Sequence, residues 1–254
     1  MRVQAVVAYD GTDYSGFQRQ ANAPTVQEAL EAALAQVTAS ARETITVLAA
    51  GRTDAGVHAA GQVIAFDTAW RHDLDDLRRA LNAVLPADIA VQETSEATPD
   101  FHPRYDARSR RYRYTLYNAP VRCPLARRHS LHVTFPLDVA AMQRAAQALV
   151  GERDFATFGQ PPQGQNTVRR VLAAEWGFAV SAQPSGGELP WLDFDIEANA
   201  FLYHMVRSVV GTMLQVGRGK MTAEEFVAVL ASCDRGQAGP TAPSHGLCLV
   251  EVKY

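Results

Sequence analysis

The chain has 254 residues, 47% hydrophobic and 20% charged, with 24 Lys+Arg against 27 Asp+Glu. That balance excludes wholesale disorder, and the length suits one large domain or two modest ones. No run of about 18 apolar residues is present, so no membrane-spanning helix is expected.

The opening residues Met1-Arg2-Val3-Gln4-Ala5 enter a strand-like pattern without the hydrophobic region of a signal peptide. Three cysteines, with no CxxC pair, argue against a disulfide framework or a zinc site. A soluble, cytoplasmic chain is expected.

Residues 3–9 read as a strand ending at the turn signal Asp10-Gly11. Thr25-x-x-Glu28 is a capping box opening a helix to about Val37, with Val26, Leu30, Leu34 and Val37 on one face. Residues 45–50 read as a short buried strand, followed by a Gly-rich loop and a strand over 62–67. Asp73 caps a helix running to about Leu85, and residues 89–94 form the last strand of this half. The order is β-α-β-β-α-β, the split-βαβ or ferredoxin-like arrangement.

The second half begins with residues 105–118, where Tyr112, Tyr114 and Leu116 alternate with Arg111, Arg113 and Thr115. Residues 129–133 are expected to pair with this ribbon. Asp138 caps a helix to Val150, with Gly151 as its stop. Strands follow at 168–180 and 192–198, flanking the loop Pro184-Ser185-Gly186-Gly187. A helix is expected over 202–216, another opens with the capping box Thr222-x-x-Glu225, and residues 247–252 close the chain. The expected fold is α+β: two ferredoxin-like, RRM-like halves, residues 1–104 and 105–254, forming a mostly antiparallel sheet with flanking helices and a central cleft.

The total charge of −3 hides a strong asymmetry. Between Phe101 and His132 stand eight arginines and one acid, Asp106, so this segment carries +7 and the rest −10. Arginine's planar fork suits phosphate and base recognition. A basic patch on an acidic body is a footprint for a nucleic acid.

The stretch Gly51-Arg52-Thr53-Asp54-Ala55-Gly56-Val57-His58-Ala59 is the most informative. It follows a strand, where a loop can present side chains from a rigid base. On residue types alone, an aspartate in a Gly-rich turn is ordinarily a turn former, and His58 a satisfied structural histidine. No HExxH, HxE or CxxC accompanies them, so no metal is expected.

Taken together with other segments, this loop resembles the active-site motif of the tRNA pseudouridine synthase A family. Tyr9-Asp10-Gly11 with Tyr14-x-Gly16-Phe17-Gln18-Arg19-Gln20 is similar to the family's first motif, with Phe17 replacing a frequent tryptophan. Phe101-His102-Pro103-Arg104 and Arg111-Tyr112-Arg113-Tyr114 match its middle. Gly151-x-x-Asp154-Phe155-x-x-Phe158, Asn199-Ala200-Phe201, His204-Met205-Val206-Arg207 and Ala242-Pro243-x-x-Gly246-Leu247 match its second half. Arg153 stands where the family often has His or Asn.

The resemblance implies isomerisation of uridine to pseudouridine in the tRNA anticodon stem-loop, at positions 38, 39 and/or 40, with no cofactor. Asp54 is then the catalytic carboxylate, attacking uracil C6 or ribose C1′. Arg207 is its expected charge partner, since an opposite charge favours the ionised form. Tyr112 offers a face for the target base, worth roughly 1–3 kcal/mol of stacking, and Arg52 flanks Asp54 or holds phosphate. Tyr114 reads as core. The resemblance further implies a homodimer with tRNA as partner.

Two other readings stand beside this one. One is a pseudouridine synthase aimed at another RNA or position. The other is a non-catalytic RNA-binding or chaperone module on the same fold.

Overall fold

The alternation at the start of the chain forms β1 (Arg2–Tyr9), which buries Val3, Ala5, Val7 and Tyr9 and leaves the side chains between them half exposed. The structure, a computed structural model, describes residues 1–161, 164–179 and 191–254. The expected strand end at Val180 and the loop at 184–187 lie outside the described residues. Two compact α+β units make up the described chain, Met1–Arg108 with Cys248–Tyr254, and Ser109–Leu247.

In the first unit β1 is followed by α1 (Val26–Thr38), β2 (Leu48–Ala49), β3 (His58–Asp67), α2 (Leu74–Val84) and β4 (Ile89–Ala97). β1 lies between β3 and β4, antiparallel to both, and β2 extends the far side of β3 at Ala65 and Ile64. This is the expected β-α-β-β-α-β unit. The closing strand β10 (Leu247–Lys253) returns to it, running parallel to β3 through Cys248 and Leu249 beside His58 and Ala59.

Helix α1 starts where Thr25 accepts the Glu28 amide, and it buries Val26, Leu30 and Leu34. The capping box is only half made, because the Glu28 carboxylate pairs with Arg42 at 3.0 Å. Burying a leucine such as Leu30 contributes about 1.5–3 kcal/mol, and Leu30→Ala would cost about 2–5 kcal/mol. Asp73 caps α2 through the Asp75 amide. The strand expected over 45–50 shrinks to Leu48–Ala49 for a local reason. Residues Arg42–Thr44 form a 3-10 turn, and the backbone N–H and C=O of Val47 are taken by Glu31 and Gln27 of α1 rather than by a neighbouring strand.

The second unit holds β5 (Ser109–Asn118), β6 (Leu131–Val133), α3 (Val139–Gln147), β7 (Gly151–Asp154), β8 (Val168–Ala179), β9 (Trp191–Ala198), α4 (Met205–Gly217) and α5 (Ala223–Ala231). Its strands run in the order β5-β9-β8-β7, all antiparallel, with β6 parallel to β5. Tyr112, Tyr114 and Leu116 share a buried face with Ile196, Phe194 and Leu192 directly opposite. On the other face Arg111, Arg113 and Thr115 stand against Glu197, Asp195 and Asp193. The full capping box forms at α5, between Thr222 and Glu225.

Other expected boundaries move as well: β3 starts at His58 rather than 62, and β4 runs on to Ala97 rather than 94. β5 starts at Ser109 rather than 105, because the amides of Tyr105 and Asp106 both donate to the His102 carbonyl and hold the chain in a turn. α3 ends at Gln147, where Leu149 and Val150 close tighter three-residue turns, and Gly151 (φ 107°) opens the unexpected strand β7 instead of stopping a helix. α4 starts at Met205 rather than 202, because His204 takes a left-handed conformation at φ 62°.

Candidate active site

Asp54 and Arg52 lie in the first unit, on the loop between β2 and β3. Arg52 is exposed and Asp54 half-buried, between the buried Thr53 and Val57. The loop is held from several directions. The Phe17 amide donates to the Thr53 carbonyl at 3.1 Å, and the Gly56 amide to the Tyr14 carbonyl at 3.2 Å. The Val57 amide closes a turn on the Asp54 carbonyl at 3.1 Å, with Gly56 at φ 74°. Asp54 therefore sits at the head of a tight turn, with hydrogen bonds fixing the backbone on both sides.

Two glycines of the neighbouring loop permit that approach. A Cβ on Gly11 would collide with the Val57 carbonyl, and one on Gly16 (φ 99°) would lie 2.8 Å from the Thr53 carbonyl oxygen. Only glycine allows both this contact distance and this backbone. His58 is 5% exposed, and its Nδ1 lies 3.1 Å from both the Gly11 amide and Asp10 Oδ1. Tyr14 donates to Asp88 at 2.7 Å, and burial followed by that carboxylate pushes its phenol well above the ordinary range.

Residue types alone did not single out Gln62 and Tyr9. Gln62 is fully buried on β3, opposite Val7 and on the face of Ile64 and Phe66. Its Nε2 donates to the Gly51 carbonyl at 2.7 Å, and its Oε1 accepts from the Gly51 amide at 3.3 Å. The Tyr9 hydroxyl lies 3.4 Å from Gln62 Nε2 and 2.8 Å from Thr53 Oγ1. The available signal was a glutamine at a core-facing position of an apolar strand.

Tyr112 and Arg207 lie in the second unit. Tyr112, on β5, is 8% exposed and meets the edge of Phe201 at 4.9 Å between ring centres. Tyr114 is fully buried and donates to the Pro243 carbonyl at 2.8 Å, as a core aromatic should. Arg207 stands in the first turn of α4, where the helix dipole disfavours a cation unless an anion is to be bound. Its Nε donates to the Ala242 carbonyl at 2.8 Å, and its own carbonyl accepts from the Ala242 amide at 3.0 Å. The segment around Ala242 thus orients the guanidinium, while Gly246 packs against the Tyr114 ring. His245 is shifted below the ordinary histidine range, first by burial and then by the Arg207 charge.

The arginine-rich segment is not one uniform basic patch. Arg113 binds Asp195 through Nε and Nη2, the latter at 2.8 Å, and Arg113 Nη1 lies 3.4 Å from Asp193. Arg111 lies 3.8 Å from Asp195, and the buried Arg110 donates to the Asn199 carbonyl at 2.9 Å. Burial raises the Asp193 carboxyl above its ordinary range, with Thr115 and Arg113 offsetting only part of the effect. The acids of β9 therefore use charge that the sequence offered to a polyanion. Arg108, Arg122, Arg127 and Arg128 are the exposed arginines of the segment.

The chain matches the family model described as tRNA pseudouridine synthase over residues 5–106 and 145–254. Among curated proteins it is 48% identical over 257 residues to the tRNA pseudouridine synthase A of Moorella thermoacetica, covering 99% of each chain. It is 47% identical to that of Chloroflexus aurantiacus (99% of this chain, 88% of the relative) and 46% identical to that of Brevibacillus brevis (100% and 99%).

Proposed function

Because the chain belongs to the tRNA pseudouridine synthase family, we propose that Asp54 is the carboxylate through which it acts and that its targets are uridines 38, 39 and/or 40 of the anticodon stem-loop. At the coarser level it is a tRNA pseudouridine synthase, an RNA-uridine isomerase. The reaction breaks the N1–C1′ bond, turns the uracil, and forms C5–C1′. The C5 proton is released and N1 gains one, so neither redox chemistry nor an electron sink is needed.

The observation that carries the assignment is the loop around Asp54. A half-exposed carboxylate at the head of a turn, its flanking backbone fixed by hydrogen bonds from the Phe17 amide and Gln62 Nε2 and to the Tyr14 carbonyl, has the rigid presentation that covalent or electrostatic catalysis requires. Tyr112 is proposed to stack on the base. With 8% exposure and Phe201 against its edge, it needs Phe201 or the incoming nucleotide to open its face. Arg207 is proposed as a substrate-binding cation, supported by its place in a first helical turn, and Arg52 as a phosphate contact, supported by its exposure. The exposed Arg122, Arg127 and Arg128 are proposed for the tRNA backbone, so affinity should fall steeply with salt. A homodimer and a cytoplasmic location belong to the same proposal.

Tritium release from C5-labelled tRNA tests the central claim. Asp54→Asn should release none while binding tRNA almost as the parent does. Equal release from the two proteins would leave Asp54 without its role. Pseudouridine mapping of the product tRNA reads the positions, and modification outside 38–40 overturns that part.

A further inference from the structure

We propose that Gln62 and Tyr9 are positioning residues for the reaction, a buried relay that sets the backbone from which Asp54 projects. The proposal rests on Asp54 being the catalytic carboxylate. Folding alone would favour an aliphatic side chain at the slot of Gln62, since Ile64 and Phe66 occupy the next two positions on that face. A buried amide is costly unless every polar atom is paired, and here the pairing is directed at one loop.

Gly51 fixes which way the amide points. Its N–H needs an acceptor and its C=O a donor, so Gln62 presents Oε1 to the first and Nε2 to the second. A reversed amide would set donor against donor and acceptor against acceptor. The second Nε2 proton faces the Tyr9 oxygen at 3.4 Å, and the Tyr9 and Thr53 hydroxyls share a 2.8 Å hydrogen bond in which either can donate. The relay thus runs from a strand position through two side chains to the residue before Asp54. Tyr9 is itself 4% exposed and rests on the Phe17 ring, whose backbone amide holds the Thr53 carbonyl. Side chain and main chain of Thr53 are both anchored, and Asp54 follows directly.

The test is a panel of Tyr9→Phe, Thr53→Val, Thr53→Ser, the double variant Tyr9→Phe/Thr53→Val and Gln62→Leu, with Asp54→Asn as reference. Each is read by single-turnover tritium release, steady-state kcat and KM, tRNA affinity and thermal melting. Tyr9→Phe and Thr53→Val should each lower the single-turnover rate about 10- to 100-fold, the scale of a misplaced reacting group, with KM and tRNA affinity unchanged. The double variant should be no slower than either single one, and Thr53→Ser should recover most of what Thr53→Val loses. Should Gln62→Leu fail to fold, the other variants carry the test.

Parental rates in Tyr9→Phe and Thr53→Val beside an inactive Asp54→Asn overturn the positioning role alone. Losses that multiply in the double variant overturn the relay. An active Asp54→Asn overturns the catalytic assignment itself, and with it this proposal.

Discussion

Gly16→Ala perturbs the Asp54 loop from outside it, by a contact whose size can be worked out. Gly16 has φ 99°, and a Cβ there would lie 2.8 Å from the Thr53 carbonyl oxygen and 3.3 Å from both Ala55 N and Asp54 C. The backbone conformation alone costs an alanine about 1–3 kcal/mol. At about 2–4 °C per kcal/mol for a chain of this size, melting should fall by roughly 2–12 °C.

The contact adds something different. The Thr53 oxygen is tied to the Phe17 amide, so relief must move the loop by some tenths of an ångström, and Asp54 moves with it. We expect kcat to fall by about 10-fold or more, toward the 10²-fold typical of a 1 Å misplacement. Gly151→Ala supplies the matched control, with φ 107° and nothing within 4 Å of the added carbon. It should lose similar stability and keep the parental kcat. Melting curves and tritium release on both variants decide; equal kcat in the two refutes the idea that contact with the loop governs turnover.

Three further outcomes are expected. Tyr114→Phe removes the donor to the Pro243 carbonyl and should cost about 1 kcal/mol, read by thermal or denaturant unfolding; an unchanged midpoint removes that bond from the stabilising set. Asp193 has a folded-state pKa above its unfolded one, chiefly through burial, so the folded chain binds the proton more tightly. Its contribution is fully present below the ordinary carboxylate range and is lost as pH rises through the raised value. Asp193→Asn should flatten that part of the stability–pH curve, and an identical curve refutes it. Arg207→Leu removes one cause of the depressed His245 pKa, so NMR titration should find that histidine moved up, though not fully, because burial is the larger cause.

The α+β class and most strands and helices were legible because their signals are local. Alternation in residues 3–9 and in Tyr112, Tyr114 and Leu116 marks faces that end up buried. Thr25, Asp73, Asp138 and Thr222 all cap helices as read. What failed was set by partners distant in sequence or by single backbone conformations. Val47 leaves its strand because two side chains of α1 claim its polar groups. His204 delays α4 by adopting a left-handed conformation that nothing in its residue type announces. The segment from Phe101 to His132 carries +7, yet its charge is partly matched by acids some 80 residues later that only strand pairing brings opposite.

The sequence by itself determined the family, since the matching motifs run along nearly the whole chain, and with it the kind of reaction. It also marked Asp54 as the residue to watch. Tertiary structure decided what holds that residue's loop: Gln62, Tyr9 and Gly16 meet it through hydrogen bonds and contacts between segments 11 or more residues apart. Periodicity reports which face a side chain occupies, but not which distant backbone group needs its proton. That depends on the register of β1 against β3 and on where the loop falls, and both are properties of the folded chain.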